Sequence, residues 1–216
     1  MRPNPLSDAL AFLTKSGWTT VAFWILIVAS IGIAIASYRA IPAQRRLEHL
    51  CNWGCRFLIG AMWWQQTLWK LPPYYTDQPQ EPFGSTGLAY WMIQEGKGAA
   101  FQLQADLVNN LVLPNFYLFA PAVYALETLT AISLMLGLGV RLWGAIGALQ
   151  IVNLWLGLYN AEGEWPWTYF FLLTLQVIFA VNAYGRSLGA DALLRERAAP
   201  VLSERSLRGL VLRLAT

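Results

Sequence analysis

Apolar residues in this chain gather into five long runs separated by short polar segments. Each run is close to the ~20 residues that span the hydrocarbon core of a bilayer. The first runs from about Trp18 to Tyr38 and the second from about Asn52 to Leu71. The third is Phe116 to Gly137, the fourth about Leu142 to Tyr159, and the fifth about Pro166 to Tyr184. The pattern predicts an all-α integral membrane protein. Short turns containing Gly or charge join the last three spans, which predicts an up-down bundle.

Between the second and third runs lies a stretch, 72–115, too long for a plain loop. Leu71-Pro72-Pro73 stops the second helix. Ser85 is placed to cap a short helix ending at Gly96. A further helix is predicted from Ala99 to Leu113, stopped by Pro114, with Phe101, Leu107 and Leu111 as its apolar face. This segment reads as an outer cap on the bundle or on the membrane surface, or equally as a surface that docks a partner. In the tail, Ser203 is placed to cap a last helix with Leu207, Leu210, Val211 and Leu214 on one face. Arg205, Arg208 and Arg213 flank that face, the pattern of a helix lying at a membrane interface or on a partner subunit. Three regions result: 1–50, the first helix and its connection; 51–194, the membrane domain with its cap; and 195–216, the basic tail.

Composition agrees with this reading. Apolar residues make up 56% of the chain and charged residues 12%, about half the charge of a soluble domain. The net charge of +3 falls beside the spans, so it marks topology and gives no sign of a nucleic-acid partner. Arg39, Arg45, Arg46, Arg56 and Arg141 cluster on one side, together with six arginines after Tyr184. The other side carries Asp8, Asp77, Glu81, Glu95, Asp106, Glu162 and Glu164, with few cations. The positive-inside rule then puts the amino terminus outside and the tail in the cytoplasm. Ala34-Ile35-Ala36 resembles a signal-peptidase site, but cleavage there would strand Arg39, Arg45 and Arg46 outside, so a retained helix is expected.

The inventory of reactive residues narrows the chemistry. One histidine, His49, is too few for a bis-histidine haem, and two cysteines cannot hold an iron–sulfur cluster. No glycine-rich turn signals a dinucleotide site, and no Ser-His-Asp set is available. Cys51 and Cys55 share a helix face and read as small packing residues. The chain alone therefore binds no cofactor of these kinds. Any redox chemistry needs a membrane quinone, the cysteines, or a partner's cofactor.

Polar residues nonetheless recur at mid-span. Gln65 and Gln66 fall in the second run, Glu127 in the third, Gln150 and Asn153 in the fourth, and Gln176 in the fifth. Such side chains are costly in lipid and are expected to point inward and bond to one another. Glu127 is the most expensive of them. Two roles are open to it: a polar lock fixing helix register, or a proton relay beside a substrate. If no cation lies near, it should hold its proton more tightly than a free Glu. Lys70, at the outer end of the second run, is expected to snorkel to the headgroups, with an anion or quinone entrance as the rival role.

Glu127 is followed by Gly137 and Arg141 in Leu136-Gly137-Leu138-Gly139-Val140-Arg141. This spacing resembles the DoxX superfamily of small bacterial membrane proteins. Trp69-Lys70-Leu71-Pro72 and Tyr184-Gly185-Arg186-Ser187-Leu188-Gly189-Ala190-Asp191 resemble its DoxD branch, which is similar to the small subunit of thiosulfate:quinone oxidoreductase. The resemblance covers roughly Arg56 to Leu194, and Ala131 stands where the family often has Gly. It implies a four-helix bundle from spans two to five with the first span added. It also implies thiosulfate oxidation with electrons passed to a membrane quinone, a second subunit, and a bacterial inner membrane. On that reading Glu127 serves proton transfer, Lys70 an outer entrance, and Arg141 anchors the inner turn. The alternative is a non-catalytic accessory subunit of a larger respiratory or photosynthetic complex.

Overall fold

The computed structural model describes residues 4–76, 87–198, 200, 209–210 and 214–216. The Ser85 cap and most of the tail helix, with Ser203, Leu207 and Val211, lie outside the described residues. Among the described residues the chain is helical throughout: α1 Pro5–Thr14, α2 Trp18–Ala40, α3 Leu47–Thr67, α4 Gly87–Gly98, α5 Gln102–Leu107, α6 Phe116–Leu136, α7 Val140–Gly157, α8 Pro166–Val181 and α9 Ala190–Arg197. Three helices are long and apolar enough to cross a membrane: α2, the continuous helix Gln102–Leu136 that contains α6, and α7. The helix α8 is apolar but has 16 residues, about 24 Å at 1.5 Å per residue. The helix α3 has the length, but Glu48, His49, Asn52 and Arg56 reduce its apolarity.

Pro114 does not stop the helix before it, contrary to the sequence expectation. The α5 backbone widens into a π turn over Val108–Val112 and tightens into a 3-10 turn over Leu113–Asn115 before α6 begins. Proline is tolerated there because the opening residues of a helical turn need no N–H partner. The expected apolar face of this segment also points the other way. Phe101, Leu107 and Leu111 are exposed, and Val108 is the buried residue.

Two helix pairs build the body: α3 lies against α6, and α7 against α8. Small residues allow the close approach. A Cβ added to Gly60 of α3 would lie 2.8 Å from the Met135 backbone nitrogen of α6, and one on Gly144 of α7 would lie 2.7 Å from that of Ala180. The helix α2 is docked on the same body. Its buried residues Phe23, Ser30 and Ser37 recur every seven positions and so fall on one stripe. Phe23 stacks near Trp64 at 6.2 Å, Ser30 donates to the Met135 carbonyl at 2.6 Å, and Ser37 donates to that of Gly189 at 3.3 Å. Cys51 and Cys55 point outward as exposed free thiols, so they do not pack the interior.

The position of the functional region follows from a register offset. Arg56 of α3 donates to the Leu134 carbonyl near the C-terminal end of α6. Counting along the two antiparallel helices, α3 then ends near the middle of α6. The outer half of α6 is covered instead by a second cluster, with Tyr75 from the connection and Leu88, Ala89 and Met92 from α4 against Phe116 and Ala120. The predicted cap is thus inserted against the bundle.

Candidate functional site

Where α3 ends, Lys70 turns inward. Its backbone N–H donates to the Thr67 carbonyl at 3.1 Å, closing a last turn. Its Nζ lies 2.6 Å from both carboxylate oxygens of Glu127 on α6. Both residues are buried, at 5% and 3% exposure, so the predicted snorkelling of Lys70 is corrected. An unpaired carboxylate at mid-helix is costly in a low-dielectric interior, and the early end of α3 brings the Lys70 ammonium to it. The ammonium also sits 4.3 Å from the Trp69 ring centre, a stabilising cation–π contact. Glu127 therefore has the nearby cation that the sequence did not reveal.

The pair forms part of the wall of a cavity of about 970 Å³. Its lining comes from α3, α4, α6, α7 and α8 and is mostly apolar and aromatic, including Trp63, Trp69, Trp91 and Tyr169. Of the predicted polar layer, Gln65, Gln66, Gln150 and Asn153 line this cavity. They do not bond to one another, and Gln65 and Gln66 near the end of α3 are exposed, contrary to the expectation that the whole layer points inward. The Gln66 Oε1 accepts from Trp69 Nε1 at 3.4 Å, and the Asn153 Oδ1 accepts from Gln104 Nε2 at 2.9 Å. Gln176 is buried elsewhere, against Gly147, where a Cβ would lie 2.7 Å from its Oε1. Arg141 lies at the inner end, where its Nε donates to the Ala180 carbonyl at 3.3 Å and ties α7 to α8.

Sequence reasoning missed Glu95, counting it only among the outer acids. It is buried on α4 at 7% exposure. Its side chain lies against Gly157 of α7, with Cβ 3.0 Å from where a Gly157 Cβ would stand. The Asn153 Nδ2 donates to its Oε2 at 3.4 Å. Burial pushes its carboxyl up to about 7; Lys70 and the Asn153 hydrogen bond oppose the rise, and the charge of Glu127 adds to it. Tyr169 on α8 donates to Glu164 Oε2 at 2.7 Å and feels the charge of Glu95. Glu164 is half-buried in the outer turn. The signal in the sequence was Glu95 itself, an acid within Gly87-Leu88-Ala89-Tyr90-Trp91-Met92-Ile93-Gln94-Glu95-Gly96, an otherwise mostly apolar helix.

No family model, no curated protein and no solved structure matches this chain.

A second buried charge set closes the opposite end of the bundle, at the turn between α6 and α7. Arg56 is fully buried and close enough to Asp191 for their charges to interact. Asp191 accepts from the backbone N–H of Gly139 at 2.7 Å and of Val140 at 3.2 Å, capping the start of α7. Burial raises the Asp191 carboxyl, and these two N–H donors pull it back. The turn between α6 and α7 needs Gly137 at φ +71°, where a Cβ would lie 2.7 Å from Arg56 Nη1 and from the Gly189 Cα.

Proposed function

We propose that this chain is an integral membrane subunit of a quinone-linked oxidoreductase of the DoxD type. On this reading α2, α3, α6, α7 and α8 all cross the membrane, with the amino terminus outside and the tail in the cytoplasm. The bundle core is α3, α6, α7 and α8, and α2 is an addition. The supporting observation is the cavity whose wall carries the Lys70–Glu127 pair. It has the size and the mostly apolar lining, with a few convergent polar groups, of a small-molecule site. A quinone headgroup is flat and uncharged, and its carbonyls need only a few donors. Trp69, Trp91 and Tyr169 offer flat walls, and Lys70, Asn153 and Gln150 offer donors. The sequence resemblance implies the same ligand class.

When bound, a quinone takes up two electrons and two protons and becomes a quinol. The residues of this chain hold and orient the headgroup, exclude bulk water, and move protons at Glu127 Oε1 and Oε2 and at Lys70 Nζ. Thiosulfate fits the cavity poorly. It is a dianion, and among the described lining residues the one Lys or Arg is Lys70, already paired with Glu127 while Glu95 and Glu164 add acidity. Thiosulfate, or whatever reductant is used, is then handled by the partner subunit that the resemblance implies.

The test is purification from the native membrane, followed by solvent extraction for quinone and assay of thiosulfate-dependent quinone reduction. Bound quinone and activity, with Glu127→Gln assembling normally but inactive, support the proposal. A quinone-free chain held stoichiometrically in a pigment or cytochrome complex, with no such activity, supports the accessory-subunit reading instead.

A further inference from the structure

The quinone reading leaves one buried acid without a role. Glu95 comes from α4, outside the helix pairs that form the body, and reaches the cavity wall beside Lys70 and Glu127. Among the described residues, its one side-chain hydrogen bond is the long contact from Asn153 at 3.4 Å. A buried carboxyl this weakly held is unusual, because buried polar groups are normally well satisfied. Gly157 is what admits it, since any side chain there would occupy its place.

Resting on the quinone reading above, we infer that Glu95 is a further headgroup-binding residue, which in its protonated form donates a hydrogen bond to a carbonyl of the bound ring and exchanges that proton with the outer face. The ionised form has no donor and would turn a negative charge on the carbonyl oxygen, so the headgroup selects the neutral acid. The groups facing Glu95 are Lys70 from the connection after α3, Glu127 from α6, and Tyr169 from α8. From α7 it meets the neutral Asn153. Its raised affinity for a proton, near 7, lets both forms exist at ordinary pH. The exchange route is Tyr169, which already donates to Glu164 in the outer turn. Sequence position hides this, since Glu95 lies 32 residues before Glu127 in a segment read as a surface cap.

The test is binding of decyl-ubiquinone to the full chain in lipid nanodiscs, followed by quenching of tryptophan fluorescence from pH 5.5 to 8.5. Wild type should bind roughly tenfold more weakly at the alkaline end, the loss of about one hydrogen bond. Glu95→Gln keeps a donor at every pH and should bind with no such step. A pH indicator in weak buffer should record proton uptake as decyl-ubiquinone binds to wild type near pH 7. That uptake needs no variant to fold, and Glu95→Gln should abolish it. Binding that is flat with pH and takes up no proton overturns the role of Glu95 and leaves the quinone reading standing. The same holds if the pH step persists in Glu95→Gln. No binding at any pH overturns both.

Discussion

The molecule buries charge at two places, and they are built in opposite ways. At the inner end Arg56 is wedged between Leu134, Gly137 and the Asp191 region, and Asp191 is spent on capping α7. At mid-bundle Lys70 and Glu127 pair just as deeply, yet one side of the pair faces a cavity of about 970 Å³. Lys70 and Glu127 meet the cost of burial by direct pairing, whereas Arg56 and Asp191 meet it mainly through backbone groups, the Leu134 carbonyl and the N–H groups of Gly139 and Val140. The second also borders open space large enough for a third molecule. The inner set is a lock, and the outer set is a lock with a site attached.

This contrast breaks most visibly at Arg56. Arg56→Ala should cost about 2–5 kcal/mol by emptying a fully buried site and leaving the Leu134 carbonyl without its donor, read as lost yield and a lower melting temperature in detergent. Arg56→Met refills that space and should recover part of the loss, and neither variant should change quinone affinity in the protein that does fold.

The next effect belongs to the outer set and to pH. The Glu95 carboxyl is raised from 4.5 to about 7 by folding. A raised acid leaves stability intact below its unfolded value. Stability then falls as pH rises from 4.5 to about 7 and stays level above. The difference in melting between wild type and Glu95→Gln should trace that window, with a span of about 3 kcal/mol.

Gly137→Ala is expected to be somewhat milder, about 1–2 kcal/mol for the left-handed backbone, with the clash against Arg56 and Gly189 in addition. It should mimic Arg56→Ala in kind, lowering yield without a selective loss of binding. Glu127→Gln should disturb folding least, by about 1 kcal/mol, because the amide oxygen of Gln can still accept from Lys70 Nζ and the charge of Glu95 still acts on Lys70. Its turnover should nonetheless be lost. A large folding defect without a separate effect on turnover would make the outer set a lock as well.

The sequence shows some of this and hides the rest for definite reasons. Runs of apolar residues mark α2, α6, α7 and α8 to within a few residues, because span length and composition are local properties. Glu127 stood out for the same reason. Lys70 was misread because its partner lies 57 residues away, and a lysine at a helix end ordinarily snorkels. The register offset that turns it inward is set by the contacts of Gly60 and Arg56 with α6, which no single run reveals. Glu95 was hidden in a segment whose burial depends on the space left where α3 ends. The stripe Phe23, Ser30 and Ser37 emerges only from the structure, since a spacing of seven does not name the partner it packs on.

The central claim is that a quinone headgroup sits against the Lys70–Glu127 pair. Photolabelling tests it most directly, with an azido-quinone in nanodiscs and mass-spectrometric mapping of the modified peptides. The account predicts label on the cavity wall, at Trp69, Met92 or Leu126 and their neighbours, displaced by excess decyl-ubiquinone. Label confined to the outward faces of α2 or α8, or label that excess quinone fails to displace, would contradict it.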